Sequence, residues 1–312
     1  MSWEAGSGAN WTVGSEAVWE TIVSEWEHAH HDDEVEAVTV GSTVYSSGRL
    51  SDIIAVRQSN GTILWDKIDE NISLIRDVSV AGDRLLISGT GNRVKSLDKD
   101  DGSIQWEHSH HNASVYEVVA SPDKTFSGDA DGVVIAADIT DGGKIWNHTH
   151  HESGDQIRSV YYDADEPVVL STGFDDHIIG ASPDDGSEIF NYDRSRSMKS
   201  VDKMDNLVFL GLWSSTPDVK VEAIDWETQD LIWSHEGHAS DSSGVNEIHA
   251  NAGMVASAGA DGRVVVADAE TGNIIDTHDK HTDDVRSVHI KNDFVVSGSR
   301  DGLVIKHRIE PF

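Results

Sequence analysis

A tryptophan trailed by histidines returns along this chain at a spacing close to forty residues, and that period constrains the fold more than any other feature. The runs Trp26-Glu-His-Ala-His-His, Trp106-Glu-His-Ser-His-His and Trp146-Asn-His-Thr-His-His lie 80 and 40 residues apart. Trp65 fills the gap, and later slots fall on Phe190, Trp233 and Asp276, so successive spacings are 39, 41, 40, 44, 43 and 43 and the chain holds seven units. Four residues ahead of most slots stands a glycine, at Gly61, Gly102, Gly142, Gly186 and Gly272, with Gln229 as the exception. Each marks a tight turn into the strand that carries the slot.

Within one period, Val285 to Ile290, Phe294 to Ser297 and Leu303 to Arg308 read as three short β-rich runs, the last two split by the turn Arg300-Asp301-Gly302. The slot strand supplies a fourth. Four strands every 40 to 45 residues, repeated radially, is the arithmetic of a β-propeller, so the expectation is an all-β, seven-bladed disc. The last period runs out at Phe312 after three strands, while residues 21 to 31 carry an orphan strand matching the Trp106 one. The two ends should meet in one blade, which pairs edges that would otherwise be exposed. We therefore expect one propeller domain, 19–312, preceded by a tryptophan-rich arm, 1–18.

The runs Ala223-Ile-Asp225-Trp-Glu-Thr-Gln-Asp-Leu-Ile-Trp233 and Asp268-Ala-Glu-Thr-Gly272 resemble the tryptophan-docking repeat of PQQ-like propellers. The runs His281-Thr-Asp-Asp-Val285 and Ser297-Gly-Ser-Arg-Asp301-Gly302 resemble WD40 repeats instead. The chain departs from WD40 where that family has a third-strand tryptophan, since Ala137, Ala181 and Ala267 stand there. The PQQ-like resemblance implies that Trp26, Trp65, Trp106, Trp146 and Trp233 pack the blades together. The WD40 resemblance implies that the histidine five residues after a slot bonds a Ser and an Asp of the next hairpin. The sets are His111 with Ser127 and Asp131, His151 with Ser171 and Asp175, His238 with Ser257 and Asp261, and His281 with Ser297 and Asp301. His31 has no obvious Asp, and Asn92 has no histidine. Neither resemblance dictates a chemistry, because these folds carry many functions.

Charge restricts the partners. Asp and Glu number 56 against 23 Lys and Arg, for a formal charge of −33. Self-repulsion of that size is screened when the Debye length falls to about 3 Å near 1 M salt, which points to a high-salt, haloarchaeal setting. Such a surface repels nucleic acid phosphates and anionic lipid, so neither is an expected partner. There is no cysteine, hence no disulfide or thiolate zinc site. The first residues lack a charged and an apolar signal region, and no apolar run approaches the length of a membrane span, so the expectation is a chain neither Sec-exported nor membrane-inserted, cytoplasmic or in a virion.

Of the 17 histidines, 13 fall within five residues after a slot. Those two after it, His28, His108, His148, His235 and His278, share the tryptophan's face and should pack between blades. A histidine ring around a disc spreads its members too far for one metal ion, so no metal is expected. The acidic loops Asp98-Lys-Asp100-Asp101-Gly102 and Asp129-Ala-Asp131-Gly132 lack the twelve-residue calcium pattern and read as turns. No phosphate loop, G-x-S-x-G or H-E-x-x-H is present, so the chain is read as a non-enzyme with no catalytic residues and no cofactor. A quinoprotein enzyme is the alternative the PQQ-like repeats suggest, against which stand the shorter chain and the missing cysteine pair.

One unit breaks the pattern. Between blades four and five, after the Phe190 slot, Asp193-Arg194-Ser195-Arg196-Ser197-Met198-Lys199 replaces the histidines, and the next hairpin carries the insertion Leu212 to Asp218 with Trp213 inside it. Arg194, Arg196, Lys199 and Trp213 are candidates for gripping an acidic protein or stacking on a sugar. Trp3 and Trp11 in the arm are candidates for docking on the disc or on a neighbouring subunit, which would make an oligomer or larger assembly. The function expected is a protein- or glycan-binding propeller, in its sharper form a structural or host-attachment part of a haloarchaeal virus particle, with a cytoplasmic scaffold as its rival.

Overall fold

The forty-residue unit folds as one four-stranded antiparallel sheet, and seven such sheets stand around a central channel in a computed structural model that describes residues 24–309 apart from 70, 153, 214–219 and 240–243. The chain is thus an all-β, seven-bladed propeller, with no helix among the described residues. The inner strands of blades 1 to 7 are Val35–Val40, Ile75–Ala81, Val115–Ala120, Ile157–Asp163, Met198–Met204, Val245–Asn251 and Val285–Lys291. Blade 7 takes its outer strand, Ser24–His28, from the other end of the chain, where Trp26 pairs with Lys306 and His28 with Val304.

Because each blade is a simple up-and-down meander, its second-to-third turn and its crossover to the next blade emerge on one face, called here the loop face. The hairpins joining first to second and third to outer strands emerge on the other. Alternation along each strand sends apolar side chains between neighbouring blades, as in the cluster of Phe209, Ala223, Trp233, Val245 and Ile248 from blades 5 and 6.

The glycine ahead of each slot proves to serve the blade before it. Gly61, Gly102, Gly142, Gly186 and Gly272 sit in third-to-outer hairpins with φ between 68° and 75°. A Cβ on Gly142 would lie 2.8 Å from the Trp106 ring, and one on Gly272 2.6 Å from Trp233. Each indole also donates its N–H to a backbone carbonyl of that same hairpin, Trp106 to Ile139 at 2.8 Å and Trp233 to Ala269 at 2.9 Å. Gln229, at φ 64°, is the exception because blade 4 offers Phe190 in place of an indole, and Trp226 meets that ring edge-on at 5.1 Å. Asp276 has no docking turn to face, since in blade 7 no hairpin joins the third and outer strands.

Candidate functional site

On the loop face, histidines clasp successive blades. His151 lies 2.7 Å from Asp175 and 2.8 Å from Ser171, His238 3.0 Å from Asp261 and 2.8 Å from Ser257, and His281 3.0 Å from Asp301 and 2.8 Å from Ser297. Blade 3 departs from the sequence expectation. His111 bonds Ser127 at 2.8 Å, but its acid is Asp129 at 2.9 Å and not Asp131. Two residues after its serine blade 3 has an acid, Asp129, where blades 4 and 6 have Gly173 and Gly259 and blade 7 has Ser299, so the carboxylate reaches His111 from the end of the second strand itself. Asp131 sits exposed in the turn and donates its N–H to Asp129 at 3.0 Å. His31 does have an acid, Asp52 at 2.5 Å, with Ser46 at 2.7 Å, and that acid opens the third strand instead of sitting in the turn.

The histidines two after the slot are apolar fillers. His108 stacks on Trp106 with centroids 5.6 Å apart and planes 11° from parallel, and His28, His148 and His235 stack likewise. Burial, reinforced by neighbouring imidazoles, pushes His28, His108 and His148 down to about 3, so they are neutral. Among the described residues no group of three or more His, Asp or Glu is arranged to hold a metal ion.

The irregular unit divides in two. Arg194 and Arg196 both grip Glu222 on the third strand of blade 5, at 2.7 and 2.9 Å, and are spent on that buried carboxylate. Lys199 and Trp213 lie together instead, the ammonium 4.2 Å from the ring centroid. Trp213 is held edge-on by Phe174 at 5.0 Å and remains 44 % exposed. Trp3 and Trp11, with the whole 1–18 arm, lie outside the described residues.

Lys199 leads to a feature that the sequence reading missed. Every inner strand carries a β-bulge at its second residue, where the ladder slips, for example between Ile75 and Asp77 and between Ile157 and Ser159. A bulge leaves one residue unpaired and re-aims its side chain. In blades 1 to 4 that residue is Glu36, Arg76, Tyr116 and Arg158, and in blades 5 to 7 it is Lys199, Asn246 and Arg286. All seven line one pocket of about 70 Å³ at the channel mouth on the loop face. Arg286 pairs with Glu36 at 3.2 Å, and Lys199 donates to Asn246 at 2.8 Å. The Arg76 and Arg158 guanidinium groups lie 4.5 and 4.0 Å from the centroid of the Tyr116 ring. The signal was present in the sequence, since four of seven residues in this column are basic in a chain where acids outnumber bases two to one.

The next residue along six of the seven inner strands ties the blades together, blade 1 having Ala37 there. Asp77, Glu117 and Glu247 accept the backbone N–H of Val118, Val160 and Val288 in the following blade at 2.8–3.0 Å, and Ser159, Ser200 and Ser287 do the same for Val201, Ile248 and Val38. Burial raises these carboxyls, Asp77 to about 7 and Glu247 to about 8, with Glu117 also well above its ordinary range. Deeper, the channel widens to a cavity of about 310 Å³ lined by Asp202, His249 and His289 among others. Burial pushes Asp202 up to about 7 and His249 down to about 4.

A family model of PQQ-like repeats described as "Outer membrane protein assembly factor BamB" matches the chain in three overlapping stretches, residues 9–152, 49–205 and 130–305. No curated protein matches. Among solved structures, the computationally designed Ika8 protein superposes with a TM-score of 0.69 at 21 % identity, over 93 % of this chain and 99 % of that one, a likeness of fold alone.

Proposed function

Because the chain belongs to the family of repeat propellers described as outer membrane protein assembly factor BamB, we propose that it works as a non-enzymatic interaction propeller, presenting its loop face to a protein or glycan partner. The observation that carries this reading is Trp213, a large aromatic 44 % exposed yet fixed between Phe174 and Lys199 beside the channel mouth. An indole pre-positioned in this way offers apolar area and a polar edge at little entropic cost, which is the profile of a binding anchor. An assembly factor as the family's description is in keeping with a holding role.

The charge of −33 supports the further proposal that the disc operates at high salt. Within that setting the sharper assignment is a structural or host-attachment part of a virus particle, and a cytoplasmic scaffold is the rival. A quinoprotein activity fits less well. The ring at the mouth, Tyr116, has guanidinium groups stacked on it, and the pocket there offers about 70 Å³ where a fused three-ring quinone would need a flat platform. No step is derived through such a group.

The test compares the intact chain with Trp213→Ala in about 2 to 3 M salt, by glycan array and by cross-linking to proteins of the producing cells. A partner held by the intact chain and lost by the variant supports the reading; equal retention by both, or turnover of a substrate, overturns it. Light scattering of the intact chain beside one lacking residues 1–18 reports the arm's part: an oligomer that falls to monomer on truncation favours virion or scaffold.

A further inference from the structure

In a protein with more than twice as many acids as bases, a cation without a carboxylate partner needs a reason. Among the described residues Arg76 and Arg158 have no ion pair, although both sit in the channel and not on the outer surface, and the Nε of each is buried without a hydrogen-bond partner. They are also crowded by their own kind. Arg158 is held below its ordinary range by burial and then by the charges of Arg76 and Arg286, and Lys199 is pushed down to about 7 by burial and then by Arg158 and Arg286. Like charges gathered in a desolvated place destabilise the fold unless something of opposite sign joins them.

The carboxyls nearby do not supply that charge. Glu36 is committed to Arg286, and Asp77, Glu117 and Glu247 turn sideways to the N–H groups of the next blade, where burial favours their neutral form. We propose that the mouth of the channel is an oxyanion site, in which Arg76 and Arg158 receive one phosphate- or carboxylate-class group, with Lys199 and the Glu36-paired Arg286 adding positive charge beside it. The pocket, of about 70 Å³, has room for a single such group. Guanidinium groups match oxyanions bidentately, and the Tyr116 ring, 4.5 and 4.0 Å from the Arg76 and Arg158 guanidinium carbons, holds both side chains in place in advance. Seven bulges, one per blade, are the device that turns these side chains inward.

This inference does not rest on the interaction reading. A pocket for a free anion would stand whether or not Trp213 holds a partner, and the tests use different ligands.

The experiment is calorimetric titration of the full chain with inorganic phosphate in a fixed background of about 2 M potassium chloride, followed by the same titration with a hexaglutamate peptide. Saturable binding at one site per chain is expected, weakened about tenfold or more in Arg158→Met and in Arg76→Met, and unchanged in Arg49→Met, an exposed residue paired with Glu34. With no phosphate or peptide added, the first two variants should unfold at a higher temperature than the intact chain, since each removes a cation from a repulsive cluster; a residue that merely supports the fold would shift the other way. Phosphate as tight as the peptide marks a free small anion, and a tighter peptide with the same arginine dependence marks an acidic side chain of a partner. Absence of saturable binding to the intact chain, or undiminished affinity in both arginine variants, overturns the proposal.

Discussion

Replacing Gly142 by alanine isolates what holds one blade to the next. Two costs add. The backbone there has φ 75°, a left-handed conformation that costs an L-residue about 1–2 kcal/mol. The new methyl would also lie 2.8 and 3.1 Å from two atoms of the Trp106 ring, an overlap that backbone-held groups relieve at about 1–3 kcal/mol. The sum is about 2–5 kcal/mol for one methyl group. The terms separate in a double-mutant cycle with Trp106→Phe, because Gln229 shows that a side chain is tolerated at this position when the facing ring is a phenyl. Trp106→Phe alone loses the indole bond to Ile139, about 1 kcal/mol, plus the packing of the missing ring atoms. In that background Gly142→Ala should cost only its backbone share, giving a coupling energy of about 1–3 kcal/mol. Urea unfolding at fixed high salt, followed by tryptophan fluorescence and circular dichroism, reads all four corners. Equal cost of Gly142→Ala in both backgrounds would refute the docking argument, and a cost below about 0.5 kcal/mol would refute the backbone argument with it.

Asp129→Asn should destabilise by about 1–3 kcal/mol through the loss of its charged bond to His111, whereas Asp131→Asn should stay within about 0.5 kcal/mol; urea midpoints of the pair decide which acid completes the blade 3 clasp. Stability should peak at about pH 6 to 7. His28, His108 and His148, lowered to about 3, are neutral in the fold, so their contribution is complete above the ordinary imidazole range and is lost as pH falls from there toward 3. Asp77, Asp202 and Glu247, raised to about 7, 7 and 8, contribute the reverse, most at low pH and progressively less as pH rises through those values. A melting-temperature profile that climbs steadily to pH 9 would contradict this assignment. Transfer from about 2 M to 0.1 M potassium chloride should lower the melting temperature as screening of the net charge of −33 is lost, and an unchanged melting temperature would show that the acids are locally compensated.

The disc was legible because its signal is long and repeated. Seven slots fix the blade number, and the orphan strand near Trp26 fixes where the ring closes, since an unpaired strand at each end of a cyclic sheet set has one economical solution. Local substitutions were less legible. Asp129 and Asp131 are equally plausible acids by spacing, and what distinguishes blade 3 is the second acid two residues after Ser127, where blades 4 and 6 have glycine and blade 7 serine. Arg194 and Arg196 looked like a free basic patch because Glu222, their partner, lies 28 and 26 residues away on another strand. The channel column escaped notice because a bulge has no spacing signature of its own; it shows only once the strands are registered, and then Arg76, Arg158, Lys199 and Arg286 align.

The seam in blade 7 has a mechanical consequence. Ser24 faces His307 and His28 faces Val304, so the two chain ends leave the ladder on the same side. Tension applied through those ends loads its hydrogen bonds one at a time, as a zipper opens, instead of all together as in shear. Tethered by both ends, the disc would part first between Ser24 and His307 at low force, while a load entering through the body of a blade would meet the full set of clasps and docks at once.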